Sequence, residues 1–312
     1  MKRYLDANLL AMLQSQLTGT LLVEEPLARH TSYGIGGPVE AFITPDNREE
    51  LATLLRLAHD HALPVYIIGS GSNLLVADEG LPGLAICLEK VFNRVAIQSG
   101  EVYAEAGVKL NHLVHLTMQH HLRGLETLGG IPGTVGGALV MNAGAFGTEI
   151  SKVLVSVEIM TAQGVSQVLL AEDLQFGYRC SSFRPEDIIL GATFHLTPDD
   201  PQAIQARYRE VSQKRRQTQP LNKRSVGSIF KNPKTGLSAG SLIDQAGLKG
   251  TRHGDAEIST LHANFFINHG QAQAADIVAL IRLAREKVKK QFGIHLELEV
   301  TPLGFAPGTM DA

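Results

Sequence analysis

Tryptophan is absent from the 312 residues, and aromatic residues make up only 5% of them. So few flat rings leave little on which unpaired bases can stack, and a formal net charge of −3 supplies no basic field to attract a polyanion. No nucleic-acid partner is expected. Cysteine is scarce: Cys87 and Cys180 form no C-x-x-C pair and have no histidine at metal-finger spacing, so both read as free thiols in a reducing cytosol. None of the 12 histidines has ligand spacing, and no H-E-x-x-H occurs, so no metal site is expected. No run of about 18 apolar residues is present. The amino-terminal MKRYLDANLLAMLQSQ is broken by Asp6, Asn8 and Gln14 where a signal peptide is apolar. A cytoplasmic protein that neither spans a membrane nor is secreted is the expectation. Three familiar site fingerprints are also missing: the dinucleotide G-x-G-x-x-G, the phosphate loop G-x-x-x-x-G-K-[ST] and the hydrolase elbow.

What remains is ordinary globular material, 44% apolar and 19% charged, in a length that suggests about two domains. Residues 46–62 predict an amphipathic helix, capped by Asp46 or Asn47, with Leu51, Leu54, Leu55 and Ala58 on one face. PVYIIG (64–69) reads as a buried strand, and GLAICL, RVAIQ and EVYAEAG read as short strands. A second helix is expected over 109–122, and VLVSVEIMTA, VSQVLLA and DIILGATFHL read as strands. A charged helix, AIQARYREVSQKRR, follows Asp199 and Pro201. Beyond it come a helix in LSAGSLIDQAG, a strand in NFFIN, and a long helix over 272–292 with Ile277, Ile281, Ala284 and Val288 on one face. LELEV (296–300) reads as a closing alternating strand. The class is α+β. The expected division is 1–200, in two lobes split near 80, and 201–312, with a last strand at 295–303 packing back on the first lobe.

Glycine is the informative excess. It forms clusters at 34–37, 69–71 and 129–147, and the last holds seven glycines in nineteen residues beside the core-type run Ala138–Met141. Each cluster alone reads as a tight turn. Three together, interleaved with Ser and Asn, can aim backbone N–H groups from different loops at one pyrophosphate. Ala138–Met141 is expected to pack beneath them.

The strings HTSYGIGGP (30–38), IGSGSNLLV (68–76) and GLETLGGIPGTVGGALVMNAGAFG (124–147) resemble the flavin domain of UDP-N-acetylenolpyruvoylglucosamine reductases. FGYRCSSF, GSIFKNP, LIDQAGLKG, HANFFIN and LELEV resemble the same family in the same order, from about residue 25 to 303. The resemblance implies a vanillyl-alcohol-oxidase-like, PCMH-type FAD-binding domain followed by a smaller α+β substrate-binding domain. It implies noncovalent FAD, NADPH as reductant, and reduction of an enolpyruvyl ether on a UDP-sugar to UDP-N-acetylmuramate in peptidoglycan synthesis, by a monomer. FAD-binding residues are then expected in all three motifs: Tyr33, Gly34 and Gly36; Gly69, Ser70, Gly71, Ser72, Asn73 and Leu74; and, in the third, Gly129, Gly130, Pro132, Gly133, Gly136 and Gly137, followed by Asn142, Ala143 and Gly144.

Reduction of a double bond conjugated to a carboxylate needs a cation or hydrogen-bond donors at the carboxylate and a proton donor for the carbon that becomes carbanionic. The resemblance assigns these roles to Arg179, whose fork suits a carboxylate; to Ser228, as proton donor; and to Glu299, expected to be held protonated by a raised pKa. Substrate contacts are expected from Tyr178, Lys214, Arg215, Lys231 and Asn232. Only about twenty residues, 183–202, separate the YR motif from the basic helix, so the chain resembles the shorter type of the family, without a tyrosine loop that covers the substrate. Two other readings compete. One is a related flavin oxidase of an alcohol or sugar; the GSIFKNP segment and the lack of a residue for covalent attachment speak against it. The other is a nonenzymatic flavin-binding protein, which retention of Arg179, Ser228 and Glu299 disfavours.

Overall fold

The computed structural model describes residues 3–311. Short polar caps start its helices. Asp6 accepts from the Leu9 N–H to begin α1 (Ala7–Ser15), and Asn47 accepts from the Glu50 N–H at 2.8 Å to begin α2 (Arg48–Asp60). The apolar face of α2 (Leu51, Leu54, Leu55 and Ala58) is buried on a four-stranded sheet. That sheet runs Thr20–Pro26, Pro38–Thr44, Leu81–Cys87, Val65–Ile68. The first pair is antiparallel and the other two are parallel. Two corrections follow. Leu81–Cys87 sits inside this sheet, so the first lobe does not end near residue 80 but continues through Cys87. Val65–Ile68 is an edge strand with Ile67 39% exposed rather than a buried one, because one face borders a cavity.

The second lobe is an antiparallel five-stranded sheet in the order Ser166–Leu170, Leu154–Met160, Ile188–His195, Glu101–Glu105, Val95–Gln98. α3 (Leu110–Gln119) and α4 (Val135–Val140) contribute to its core. α5 (Pro201–Thr218) belongs to this lobe too: Tyr208 packs on the core, and Arg207 donates to Glu126 at 2.6 Å and to Asp199 at 2.7 Å. The carboxy-terminal unit therefore starts after α5, not at residue 201.

That unit packs α6 (Ala239–Gln245) and α7 (Ala274–Phe292) on a three-stranded sheet. Its core is not all its own, because Tyr33, Ile35 and Leu75 of the first lobe are buried in it. NFFIN forms a strand only over Phe266–Asn268, since the Asn264 side chain is taken up by both backbone groups of Phe230. LELEV is not a strand. Its alternation reflects Leu296, Leu298 and Val300 packing on the carboxy-terminal core, while its single hydrogen bonds to the neighbouring segment (Lys231 N–H to the Glu297 carbonyl, Glu299 N–H to the Ile229 carbonyl) do not extend into a ladder. The closing strand is Thr301–Leu303, parallel to Leu74–Val76 in the first lobe. Among the described residues no helix is long and apolar enough to cross a membrane.

The same first-lobe segment also holds α7. The Asp78 carboxylate accepts from the Ala274 N–H at 2.8 Å and the Ala275 N–H at 3.0 Å, capping the helix across the interface. Asp78→Ala should cost about 1 kcal/mol. The change is read as a lower midpoint in urea unfolding, and an unchanged midpoint would mean that the interface does not depend on this cap.

Candidate active site

One cavity of ≈ 440 Å³ lies where the three units meet. Its wall takes in Tyr66–Leu74 from the first lobe, residues between Ile131 and Gly144 from the second, Arg215 and Gln219 from α5, and Val226–Ser228 and Glu299 from the carboxy-terminal unit. Loop 69–73 is pressed against the segment behind it. Gly71 has φ +59, a Cβ there would strike the His30 carbonyl, and its own carbonyl accepts from the Ser32 N–H at 3.0 Å. Beside it, Ser70 Oγ lies 3.2 Å from Glu89 Oε2 and 3.0 Å from Lys109 Nζ, and the lysine pairs with Glu89.

Arg179 stands at the tip of a hairpin, Phe176–Gly177 paired with Cys180–Ser181. Its φ of +56 is the left-handed region, uncommon outside glycine and a mark of a side chain aimed at a cost. Two bonds dock the hairpin on the second lobe: Asn142 Nδ2 to the Gly177 carbonyl at 3.0 Å and Ser181 Oγ to the Val140 carbonyl at 2.7 Å. Arg179 Nε then donates to Glu299 Oε1 at 2.6 Å, with side chains 21% and 16% exposed. Burial pushes the Glu299 carboxyl above its ordinary value, against the pull of Arg179 and, more weakly, Lys231. Ser228 shares the wall. Its backbone bridges to Phe265, and the next carbonyl, Ile229, accepts the Glu299 N–H at 2.8 Å. The structure thus brings Arg179, Ser228 and Glu299 to one cavity.

On α5, Arg215 and Gln219 are one turn apart, and both face the cavity with a buried polar atom unpaired, Arg215 Nε and Gln219 Oε1. Burial and the neighbouring Arg179 weaken proton binding by the Arg215 guanidinium.

Of the expected FAD contacts, Gly69, Ser70, Gly71, Ser72, Asn73 and Leu74 line the cavity, as do Pro132, Gly133, Gly136, Gly137, Ala143 and Gly144. The others do not. Tyr33 is fully buried in the carboxy-terminal core, its hydroxyl donating to the Phe266 carbonyl at 3.0 Å. Gly34 makes room for Arg224 and Gly36 for Val76. Gly129 admits the Tyr208 ring and Gly130 the Arg215 side chain, so these two glycines serve the approach of α5. Asn142 is fully buried and anchors the Arg179 hairpin.

Of the expected substrate contacts, only Arg215 is on the wall. Lys214 pairs with Glu210 at 2.7 Å, Asn232 Oδ1 accepts from the Ala239 N–H, and the Tyr178 hydroxyl accepts from the Asn232 N–H at 3.4 Å. Lys231 is near enough to Glu299 to favour its ionised form but does not line the cavity. The run Ala138–Met141 is split: Ala138 and Leu139 are buried, while Val140 is 47% exposed and, with Met141, faces the cavity. Sequence reasoning missed Glu89, Thr134 and Gln219. Thr134 had a signal, as the cap of α4, accepting from the Gly137 N–H.

A glycine-floored slot with apolar sides (Ile67, Ile131, Val140, Ile189) fits FAD, which has a flat ring system and a pyrophosphate. Comparison with known proteins agrees. Residues 39–169 match the FAD binding domain, and residues 219–303 match the carboxy-terminal domain of UDP-N-acetylenolpyruvoylglucosamine reductase. Fold and site define an FAD-binding oxidoreductase. A UDP-N-acetylenolpyruvoylglucosamine reductase of Symbiobacterium thermophilum is 43% identical over 93% of this chain and 94% of its own length. One of Syntrophus aciditrophicus is 42% identical over 94% and 95%. The crystal structure of the Thermus caldophilus enzyme superposes with a TM-score of 0.80 at 37% identity, covering 92% of this chain and 99% of that one. The chain belongs to the UDP-N-acetylenolpyruvoylglucosamine reductase family.

Because the Glu299 carboxyl is raised above 4.5 by burial, folding favours its protonated form. That contribution is complete below the unfolded value and is lost as pH rises through the folded one. Glu299→Gln removes the loss, so the melting temperature of the variant relative to the native protein should climb with pH above 4.5. Scanning fluorimetry across pH checks it; a difference that stays flat would show an unshifted carboxyl.

Proposed function

We propose that the protein reduces the enolpyruvyl ether of a UDP-N-acetylglucosamine to the lactyl ether of UDP-N-acetylmuramate, with NADPH as reductant, as a cytoplasmic monomer. The observation that carries this reading is the Arg179–Glu299 pair at 2.6 Å on the wall of the cavity that also holds Ser228.

Bound FAD, once reduced, supplies the hydride to the double bond. The chain's own residues manage the charge and proton that accompany it. The Arg179 guanidinium holds the substrate carboxylate, where negative charge grows as the bond is reduced. Glu299, in its protonated form, donates a hydrogen bond to the same group; burial favours that form. Ser228 gives its hydroxyl proton to the carbon next to the carboxylate and regains one from solvent. A hydroxyl is a weak acid, but the enolate-like carbon is a strong base. Arg215 and Gln219, on the cavity wall, hold another polar edge of the bound molecules. Loop 69–73 and the 132–137 turn present bare backbone to the cofactor.

The purified, flavin-loaded protein should oxidise NADPH only when the enolpyruvyl UDP-sugar is added. Consumption that instead follows oxygen and an alcohol, or a flavin that never turns over, would overturn the reading. Ser228→Ala should leave flavin reduction by NADPH nearly intact and slow reoxidation by the substrate by about 10²–10⁴-fold. Stopped-flow absorbance separates the two halves; a defect confined to flavin reduction would give Ser228 another role.

A further inference from the structure

We propose that Asn73 is a positioning residue for the Glu299 carboxyl, and that through it the glycine loop of the first lobe sets the geometry of proton delivery. This rests on the reaction proposed above. Glu299 lies outside any strand, between the single bridge of Leu298 to Phe230 and the strand Thr301–Leu303. Its orientation therefore depends on discrete hydrogen bonds rather than on a ladder. On its amino side the Glu299 N–H is held by the Ile229 carbonyl at 2.8 Å, next to Ser228. On its carboxyl side Asn73 Nδ2 donates to the Glu299 carbonyl at 3.0 Å, and the Asn73 carbonyl accepts the Thr301 N–H at 2.9 Å.

Asn73 so brackets the peptide unit that follows Glu299, with side chain on one residue and backbone two residues on. The first of these bonds needs a donor, because its partner is a carbonyl oxygen, and the Asn73 amide nitrogen supplies it. Asn73 stands in the loop whose neighbours Gly71 and Ser72 line the cavity, 226 residues away in sequence from Glu299, whose backbone carbonyl it holds. Residues that orient a reacting group matter for catalysis because a displacement of an ångström removes the aligned geometry.

The test uses the flavin-loaded protein in stopped flow, with Asn73→Ala and the isosteric Asn73→Asp, which keeps the shape and removes the amide donor. In both variants reoxidation should be slowed more than flavin reduction by NADPH. Both should be reoxidised by the enolpyruvyl substrate up to about 100-fold more slowly. The loss should fall on the rate at saturation rather than on the substrate concentration needed. In a Glu299→Gln background, adding Asn73→Ala should cause little further loss, because groups that act through one another are not additive. Loss of flavin, an equal slowing of both halves, or full additivity with Glu299→Gln would overturn the proposal. If the native protein itself is not reoxidised by the enolpyruvyl sugar, the reaction is wrong. If it is, and the Asn73 variants match it, only the positioning role is wrong.

Discussion

A guanidinium–carboxyl contact between residues 120 apart, Arg179 and Glu299, is the constraint on which the cavity depends. Neither side chain reaches the other by local structure. Arg179 is thrown forward by a hairpin tip with positive φ, and Glu299 arrives because the chain after α7 returns to pair Thr301–Leu303 with Leu74–Val76. A charge pair largely withdrawn from water is poor stabilisation, since desolvation offsets most of the attraction, whereas loss of one partner strands the other at roughly 3–5 kcal/mol. Such a pair is better understood as a receptor kept ready. The docking of three units around it, with Tyr33 and Leu75 of the first lobe inside the last unit's core, makes the readiness rigid.

Elements whose burial is periodic were legible from sequence. α2 and α7 carry their apolar residues on one face and a cap at the start, and both lie within two residues of the expected limits. Errors fell where tertiary contact replaces pattern. LELEV alternates as a strand does because Leu296, Leu298 and Val300 pack on the core, but only separate bonds to residues 229–231 join it to its neighbour. α5 looked like the start of a new domain because strands give way to helix there, yet Tyr208 and Arg207 tie it to the lobe before it. Charge content did not reveal this, because one ring and one ion pair decide it.

The site was legible at the level of motifs and less so at the level of residues. Resemblance pointed to Arg179, Ser228 and Glu299, and all three lie on one cavity. Glycine alone did not say what approaches it. At Gly133 the neighbour is the cavity and Ser72; at Gly129 it is the Tyr208 ring. Both positions demand the missing Cβ for the same steric reason, so no local pattern distinguishes a floor for a ligand from a saddle for a helix. The side-chain hydrogen bonds of Tyr33 and Asn142, to Phe266 and Gly177, run into the protein rather than into the cavity.

The charges on the wall divide into closed and open sets. Glu89 is met by Lys109, and Asp187 by Arg184 at 2.9 Å, so both carboxylates are spent within the protein. Arg179 and Glu299 pair with each other at 2.6 Å, while Arg215 has no carboxylate ion-pair partner among the described residues. The two arginines oppose one another, Arg215 is partly desolvated, and Glu299 is reluctant to ionise. A carboxylate entering this set relieves the arginines. It also places a second negative charge beside Glu299, which raises a carboxyl further. A second carboxylate beside Glu299 would therefore favour its protonated form, the one that can donate a hydrogen bond.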